Sequence, residues 1–258
     1  MIAALARPRL HHSNAPGVPD CLIAGAGGDS GLLLAIVGTR DVTGAEAEAI
    51  CATLAAQPAF ARMAVVVPLP GSASPDADHS DGAGPALHSA AAGVLGLLAE
   101  LDRDFAPVAG PISLLGFGKG ARTAQEVAMR DPCRVARLCL VSAGWYAMPI
   151  ADLPWPYGTS PEPGVARPAF LDIPTTVVVG LRDTRIGPDV PQDPAIQAHQ
   201  GRNRLRRARC YVRAVAASAE AHGFDHRPSL VTCHGISADF QLSVRDGGLM
   251  EIVAEALF

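Results

Sequence analysis

Four side chains next to apolar segments could carry acid–base or nucleophilic chemistry. They are Lys119, Ser142, Asp183 and His234. Three of them lie at or just after the end of a strand-like run, and a hydroxyl, a carboxylate and an imidazole form a catalytic unit when hydrogen bonds join them. The lysine opens a helical segment, where the helix dipole disfavours a cation. The structural alternatives are a hydroxyl bonded to local backbone, a surface histidine and a solvated lysine.

The glycine-rich turn Gly116-Phe117-Gly118-Lys119-Gly120 lies between a strand-like run at 112–115 and a helical segment at 121–130. Its spacing is that of a nucleophile elbow, G-x-S-x-G, in which a serine on a sharp strand-to-helix turn attacks the substrate. Gly118 takes the serine position and offers no hydroxyl. Elbow serines have a strained backbone that costs about 1–3 kcal/mol, whereas glycine adopts positive φ with little steric penalty. The sequence therefore predicts a preserved turn with its strain relieved.

Short apolar runs alternate with helical stretches along the chain. Strands are predicted at 21–24, 32–37, 63–67, 112–115, 135–141, 175–179 and 230–233, and helices at 43–56, 85–105, 121–130, 201–222 and 248–257. Thr43 is the predicted N-cap of the first helix, with Glu46 three residues later as in a capping box. Apolar strands that alternate with helices indicate an α/β fold, with a mostly parallel sheet between two helical layers. The length suits one domain, residues 1–258.

Four segments together resemble the α/β-hydrolase superfamily, and within it a bacterial branch of esterases and polyester depolymerases. They are Val37-Gly38-Thr39-Arg40, the turn 116–120, Gly180-Leu181-Arg182-Asp183-Thr184 and Gln200-Gly201-Arg202-Asn203-Arg204-Leu205. The resemblance extends from residue 32 to residue 258. It implies the α/β-hydrolase fold, with backbone N–H donors of an oxyanion hole at Thr39 and Lys119. It also implies that Asp183 is the acid of a catalytic triad.

Two positions of the implied triad lack the side chains that the chemistry needs. Gly118 replaces the serine, and the loop Gly235-Ile236-Ser237-Ala238-Asp239 places Ala238 where the histidine belongs. Without a hydroxyl and an imidazole, Asp183 has nothing to orient. The degenerate triad predicts a non-catalytic homologue that binds a small ligand or a protein partner. The alternative is an esterase-like hydrolase whose catalytic groups have moved, drawn from the four side chains named above.

The segment from Ala143 to Leu171 interrupts the alternation of strands and helices, and it falls where α/β-hydrolases insert a lid. Its aromatic side chains Trp145, Trp155 and Tyr157 could line an apolar pocket with polar edges, or simply pack the segment onto the body of the protein. The predicted pocket also includes residues of the elbow and of the strand ends. These are Gly38, Arg40, Phe117, Ser142 and His234.

Composition limits the remaining functions. The net charge of −4 predicts no general attraction to nucleic acid. No apolar run reaches the ~18 residues needed to cross a bilayer, and the start of the chain lacks a secretory h-region, so no membrane contact and a cytoplasmic location are expected. No metal-ligand or dinucleotide-binding spacing is present, so neither a metal nor another cofactor is expected. Composition leaves the oligomeric state open.

The predicted helix at 201–222 is rich in arginine. Its basic residues are Arg202, Arg204, Arg206, Arg207, Arg209 and Arg213. Their spread around the helix favours a solvated or salt-bridged element. A site for an anion or an acidic partner is the alternative.

Overall fold

The centre of the protein is a mostly parallel β-sheet. A computed structural model describes residues 7–25, 31–38, 43–69, 90–104, 110–160, 168–187 and 190–258. The strands are β1 (Arg9–His11), β2 (Cys21–Ala24), β3 (Leu32–Gly38), β4 (Ala64–Pro68), β5 (Ile112–Gly118), β6 (Val135–Val141), β7 (Thr175–Gly180) and β8 (Ser229–Cys233). Their order in the sheet is β1-β2-β4-β3-β5-β6-β7-β8. Strand β2 pairs antiparallel with β1 and β4, and the other neighbours are parallel.

Helices cover both faces of the sheet. They are α1 (Gly44–Ala55), α2 (Ala90–Asp104), α3 (Lys119–Arg130), α4 (Pro194–Gln200), α5 (Arg204–Ala221), α6 (Phe240–Gly247) and α7 (Leu249–Leu257). Helices α2, α3 and α5 share one hydrophobic core with the sheet, and α1, α6 and α7 share the other. Strand β3 supplies both cores, because successive side chains of a strand point to opposite faces: Leu34 lies in the first core and Leu33 in the second.

The predicted α/β architecture is confirmed, and the bounds predicted at 21–24 and 135–141 match β2 and β6. The capping box of α1 is also confirmed, because Thr43 accepts from the backbone of Glu46 and the Glu46 side chain accepts in return. The strand predicted at 112–115 is too short, since β5 continues to Gly118. Residues 85–89 and 105 of the second predicted helix lie outside the described residues.

Three elements carry too weak a sequence signal to be predicted. Strand β1 has three residues, α4 has seven and α6 has eight, so each is too short for its apolar pattern to predict a strand or a helix. In the loop 235–239, where the resemblance implies a catalytic histidine, Asp239 caps α6 by accepting a hydrogen bond from the Leu242 N–H. None of the described helices combines the length and the apolar character needed to cross a membrane.

Candidate functional site

The elbow joins β5 to α3 through Gly118, which has φ 60° and ψ −123°. Its two neighbouring glycines are required by close packing. A Cβ atom on Gly116 would lie 2.5 Å from the Cα of Ala121, and one on Gly120 would lie 2.1 Å from the carbonyl oxygen of Ile36. Strand β3 and helix α3 therefore approach the elbow more closely than any side chain would allow.

The nucleophile position itself is enclosed by backbone. A Cβ atom built on Gly118 would lie 2.5 Å from the carbonyl oxygen of Gly38, and real Cβ atoms essentially never come within 3.0 Å of another heavy atom in this way. A serine at this position would displace the end of β3. Gly38 is similarly tight, because its own Cβ would lie 2.6 Å from the backbone nitrogen of Gly120. The predicted oxyanion residue Thr39 and the pocket candidate Arg40 lie outside the described residues.

Asp183 lies in the turn after β7, where its N–H donates to the carbonyl of Gly180 at 3.0 Å. Its Oδ1 accepts from Nη1 of Arg204 at 3.3 Å, and this ion pair is buried, with 12% and 9% of the two side chains exposed. Its Oδ2 is buried without a hydrogen-bond donor. Burial raises the pKa of Asp183, and the Arg204 guanidinium partly opposes that rise. The partner of this carboxylate is therefore an arginine, and its second oxygen is unsatisfied.

The segment 200–205 connects the Asp183 turn with the segment 143–171. Gln200 makes two hydrogen bonds with the backbone of Tyr146, accepting from its N–H at 2.9 Å and donating to its carbonyl at 2.7 Å. Asn203 caps α5 by accepting from the N–H of Arg206. The Leu205 N–H donates to the Asp183 carbonyl at 3.2 Å. The segment 200–205, which resembles hydrolases in sequence, therefore contains the residues that connect the Asp183 turn with the segment 143–171.

Replacing Arg204 with methionine is expected to lower the free energy of unfolding by about 3–5 kcal/mol near neutral pH, because the buried Asp183 carboxylate then has no counter-charge. The loss should shrink in acid. A carboxyl group whose pKa is raised by folding favours the folded state below its unfolded pKa, and that contribution disappears as the pH rises through its folded pKa. Urea denaturation at about pH 4 and about pH 7 measures the difference.

Two further variants serve as controls for that measurement. Adding Asp183→Asn to Arg204→Met removes both charges and should recover most of the lost stability. Arg206→Met changes an exposed arginine of the same helix, and its free energy of unfolding should stay within about 0.5 kcal/mol of that of the unmodified protein. An Arg204→Met loss of equal size at both pH values would contradict the assigned ion pair.

The loop at the predicted base position forms the start of α6. Ala238 is half-buried, and the polar groups on either side of it bond to one another. The Ser237 N–H donates to the Ser243 hydroxyl at 3.0 Å, and the Ser243 hydroxyl lies 2.7 Å from the Asp239 carbonyl. His234, the other candidate near this loop, is exposed. The loop therefore caps a helix and brings no imidazole to Asp183.

The alternative catalytic groups are not joined to one another. Ser142 is fully buried with φ 49°, and its hydroxyl donates to the Ser237 carbonyl at 2.7 Å. Lys119 is exposed at the first position of α3. Within the described part of the chain, no hydrogen bond or ion pair joins any two of Lys119, Ser142, Asp183 and His234. The structure therefore contains no nucleophile–base pair built from these four side chains.

Both tryptophans of the segment 143–171 pack against an arginine of α3. The guanidinium of Arg122 lies 4.9 Å from the ring centroid of Trp145 and 4.7 Å from that of Trp155. Trp145 is 8% exposed, and the Tyr157 hydroxyl donates to Asp193 at 2.8 Å. These contacts correspond to the packing alternative, because a cation already occupies the vicinity of both indole rings.

Phe117, one of the predicted pocket residues, lies in the core. Its ring is fully buried and packs against Phe240 with centroids 5.3 Å apart. The physical reason is the length of β5. Because the strand continues through the elbow, alternation of its side chains directs Phe117 into the core formed with α1, α6 and α7.

Side chains of metal-ligand type lie together beside the edge strand β1. One atom each of His11, Glu100 and Asp104 lies within 4.8 Å of the others. The sequence shows no metal-ligand spacing at these positions. Both Glu100 oxygens already accept hydrogen bonds, from the Ser13 hydroxyl at 2.7 Å and the Asn14 N–H at 3.0 Å. These bonds lower the pKa of Glu100 and explain a buried carboxylate that ties the chain after β1 to α2.

Comparison with known proteins identifies the fold. No protein-family model matches the chain, and no curated protein matches its sequence. Among solved structures, poly(aspartic acid) hydrolase-1 from Sphingomonas sp. KT-1 is similar with a TM-score of 0.70 and 17% sequence identity, over 95% of this chain and 97% of that one. The chain has the α/β-hydrolase fold.

Two further solved structures share the α/β-hydrolase fold with this chain. The poly(3-hydroxybutyrate) depolymerase LpqC from Bordetella parapertussis has a TM-score of 0.63 and 20% identity, over 91% of this chain and 88% of that one. A phospholipase/carboxylesterase from Dyadobacter fermentans DSM 18053 has a TM-score of 0.56 and 17% identity, over 92% and 95%. At these identities the likeness is one of fold.

Proposed function

We propose that this chain is a non-catalytic α/β-hydrolase homologue, one domain over residues 1–258 with the segment 143–171 as an insertion, whose role is to bind a small ligand or a protein partner. The observation that carries the proposal is the closed nucleophile position. Gly118 supplies no hydroxyl, and the Gly38 carbonyl lies 2.5 Å from where its Cβ would be. Both the reactive atom and the space for it are therefore missing.

The groups that remain at the predicted triad positions can supply little catalysis. Acyl transfer needs a hydroxyl that an imidazole deprotonates and a carboxylate that orients the imidazole. Position 118 is glycine, position 238 is alanine, and Asp183 pairs with Arg204. An oxyanion hole alone leaves about 10³–10⁴-fold acceleration, which is weak beside the 10⁶–10¹⁷-fold that enzymes typically reach.

An esterase assay tests the proposal. The purified protein is mixed with p-nitrophenyl butyrate and, separately, with a fluorophosphonate that labels activated serines. We expect p-nitrophenol release no faster than from the Ser142→Ala variant, and no label on either protein. A known serine esterase in the same assay shows that both reagents work.

The opposite result would establish the alternative, an enzyme with relocated groups. Turnover at enzyme-like rates that Ser142→Ala, Asp183→Asn or His234→Ala abolishes in the folded variant would overturn the proposal. Each of these variants removes one candidate side chain and Lys119→Met removes the fourth, so together they identify the groups responsible. Circular dichroism of each variant separates lost catalysis from lost folding.

A further inference from the structure

Helix α5 divides its arginines between two sides. Arg204 and Arg207 are buried and face the body of the protein, with 8% and 0% exposure. Three others are exposed and share the opposite side, because their spacing of i, i+3 and i+7 places them on one face. They are Arg206, Arg209 and Arg213. The sequence predicts that these residues spread around the helix, whereas the structure sorts them into a buried pair and an exposed row.

The exposed row borders a groove of about 620 Å³ between α5 and the edge strand β8. Its apolar lining comes from Leu205 and Val212 of α5 and Leu230 of β8. Thr184 also lines the groove, one residue beyond the triad-acid position Asp183. The groove thus has an apolar floor and a rim of three guanidinium groups.

Nothing in the described part of the chain neutralises this rim. Among the described residues, no carboxylate lies within ion-pair distance of Arg206, Arg209 or Arg213. The Arg213 side chain is held by the Arg209 carbonyl, to which its Nε donates at 3.3 Å. The chain as a whole carries a net charge of −4, so three uncompensated cations in one groove are a local excess. Such a groove attracts anions of complementary shape.

The geometry points to an extended acidic peptide segment as the occupant, and we propose that the groove binds one. The three arginines span about 10 Å along the helix at 1.5 Å per residue, which is also about the length of three extended residues. Arginine binds carboxylates with a planar pair of donors, and the apolar floor accommodates the carbon chain between them. None of the lining residues is aromatic, so the groove lacks the stacking surface with which proteins bind single-stranded nucleic acid.

Binding of a fluorescein-labelled oligo-glutamate peptide, followed by fluorescence anisotropy, tests the proposal. We expect saturable binding that weakens as salt is added, because the pairs are partly exposed. Replacing Arg206, Arg209 and Arg213 together with glutamine should weaken binding by about threefold to a hundredfold, because three partly exposed ion pairs are lost together.

A matched variant controls for net charge. Arg9, Arg62 and Arg103 are exposed and do not line the groove, so changing these three to glutamine alters the charge equally. This control should bind the peptide within about twofold of the unmodified protein. Equal weakening in both triple variants, or unchanged binding in the groove variant, would overturn the proposal. Tighter, groove-dependent binding of single-stranded DNA than of the peptide would also overturn it.

The inference rests on the proposed non-catalytic binding role, and the same experiment separates the two. Mass spectrometry of the peptide after incubation shows whether it is cleaved. Groove-dependent binding with cleavage would contradict the non-catalytic role and leave the groove assignment standing. Absence of binding in a protein that also hydrolyses no ester would reject the groove alone.

Discussion

Replacing Gly118 with serine is expected to lower the free energy of unfolding by about 2–4 kcal/mol and to produce no esterase activity. Two costs combine. Gly118 has φ 60°, which an L-residue adopts with strain, and its new Cβ would lie 2.5 Å from the Gly38 carbonyl oxygen. Because the contact is with backbone, relief requires the end of β3 to move. Urea denaturation of both proteins measures the loss.

Two alanine variants separate these costs. Gly118→Ala adds the same Cβ without a hydroxyl and should lose nearly as much stability as the serine variant. Gly223→Ala adds a Cβ at φ 75° where no atom lies within 4 Å, so it measures the cost of positive φ alone, about 1 kcal/mol. The difference between the two alanine variants is the cost of displacing β3. A serine variant as stable as the unmodified protein would contradict the closed nucleophile position.

Restoring the base as well should not restore catalysis. In a Gly118→Ser, Ala238→His variant, the new imidazole needs a free carboxylate to orient it. Asp183 is instead held by Arg204, and position 238 belongs to the loop that caps α6. We expect no p-nitrophenol release above that of the single serine variant.

The fold was predictable from sequence because apolar runs indicate buried strands, and glycines mark positions where the backbone leaves no room for a side chain. Gly120 lies against the Ile36 carbonyl and Gly118 has positive φ, so the elbow pattern reflects contacts that only glycine permits. The Thr43 cap was predictable for a similar reason, since both partners of a capping box lie within one turn. Signals of this kind need no knowledge of distant segments.

The contacts of the candidate site were less predictable, because their partners are far apart in the chain. Arg122 meets Trp145 and Trp155, and Gln125 pairs with the backbone of Ala147, across more than 20 residues. Arg122 and Gln125 are polar residues in an otherwise ordinary helix pattern. Helical periodicity alone could have sorted the arginines of α5 by face, but it gives no indication of which face would be buried.

Replacing the buried residue Arg207 with methionine is expected to lower the free energy of unfolding by about 3–5 kcal/mol. The side chain is fully buried and donates to three backbone carbonyls. Its Nε bonds to Gly201 at 2.9 Å, and its two terminal nitrogens bond to Gly144 and Pro191 at 2.6 Å each. Methionine fills a similar volume but removes the donor of all three carbonyls, of which that of Gly201 belongs to a buried residue.

Arg207 stays positively charged although its side chain is buried. Burial and the neighbouring Arg204 lower its pKa to about 10, so the guanidinium remains protonated near neutral pH and keeps all of its donors. Arg207→Lys retains a charge, but a single ammonium group cannot match three carbonyls at fixed positions. The free energy of unfolding of this variant should lie between those of the methionine variant and the unmodified protein. The lysine variant also keeps the test informative if the methionine variant fails to fold.

Limited proteolysis distinguishes this role from a general packing loss. Arg207 ties α5 to Gly144, at the start of the segment 143–171, so its loss should expose that segment to cleavage before the sheet unfolds. Arg206→Met, one position earlier and exposed, should cleave like the unmodified protein. Equal protection of the segment in the Arg207 and Arg206 variants would mean that Gln125 and Gln200, which bond to the backbone of Ala147 and Tyr146, hold the segment without the arginine.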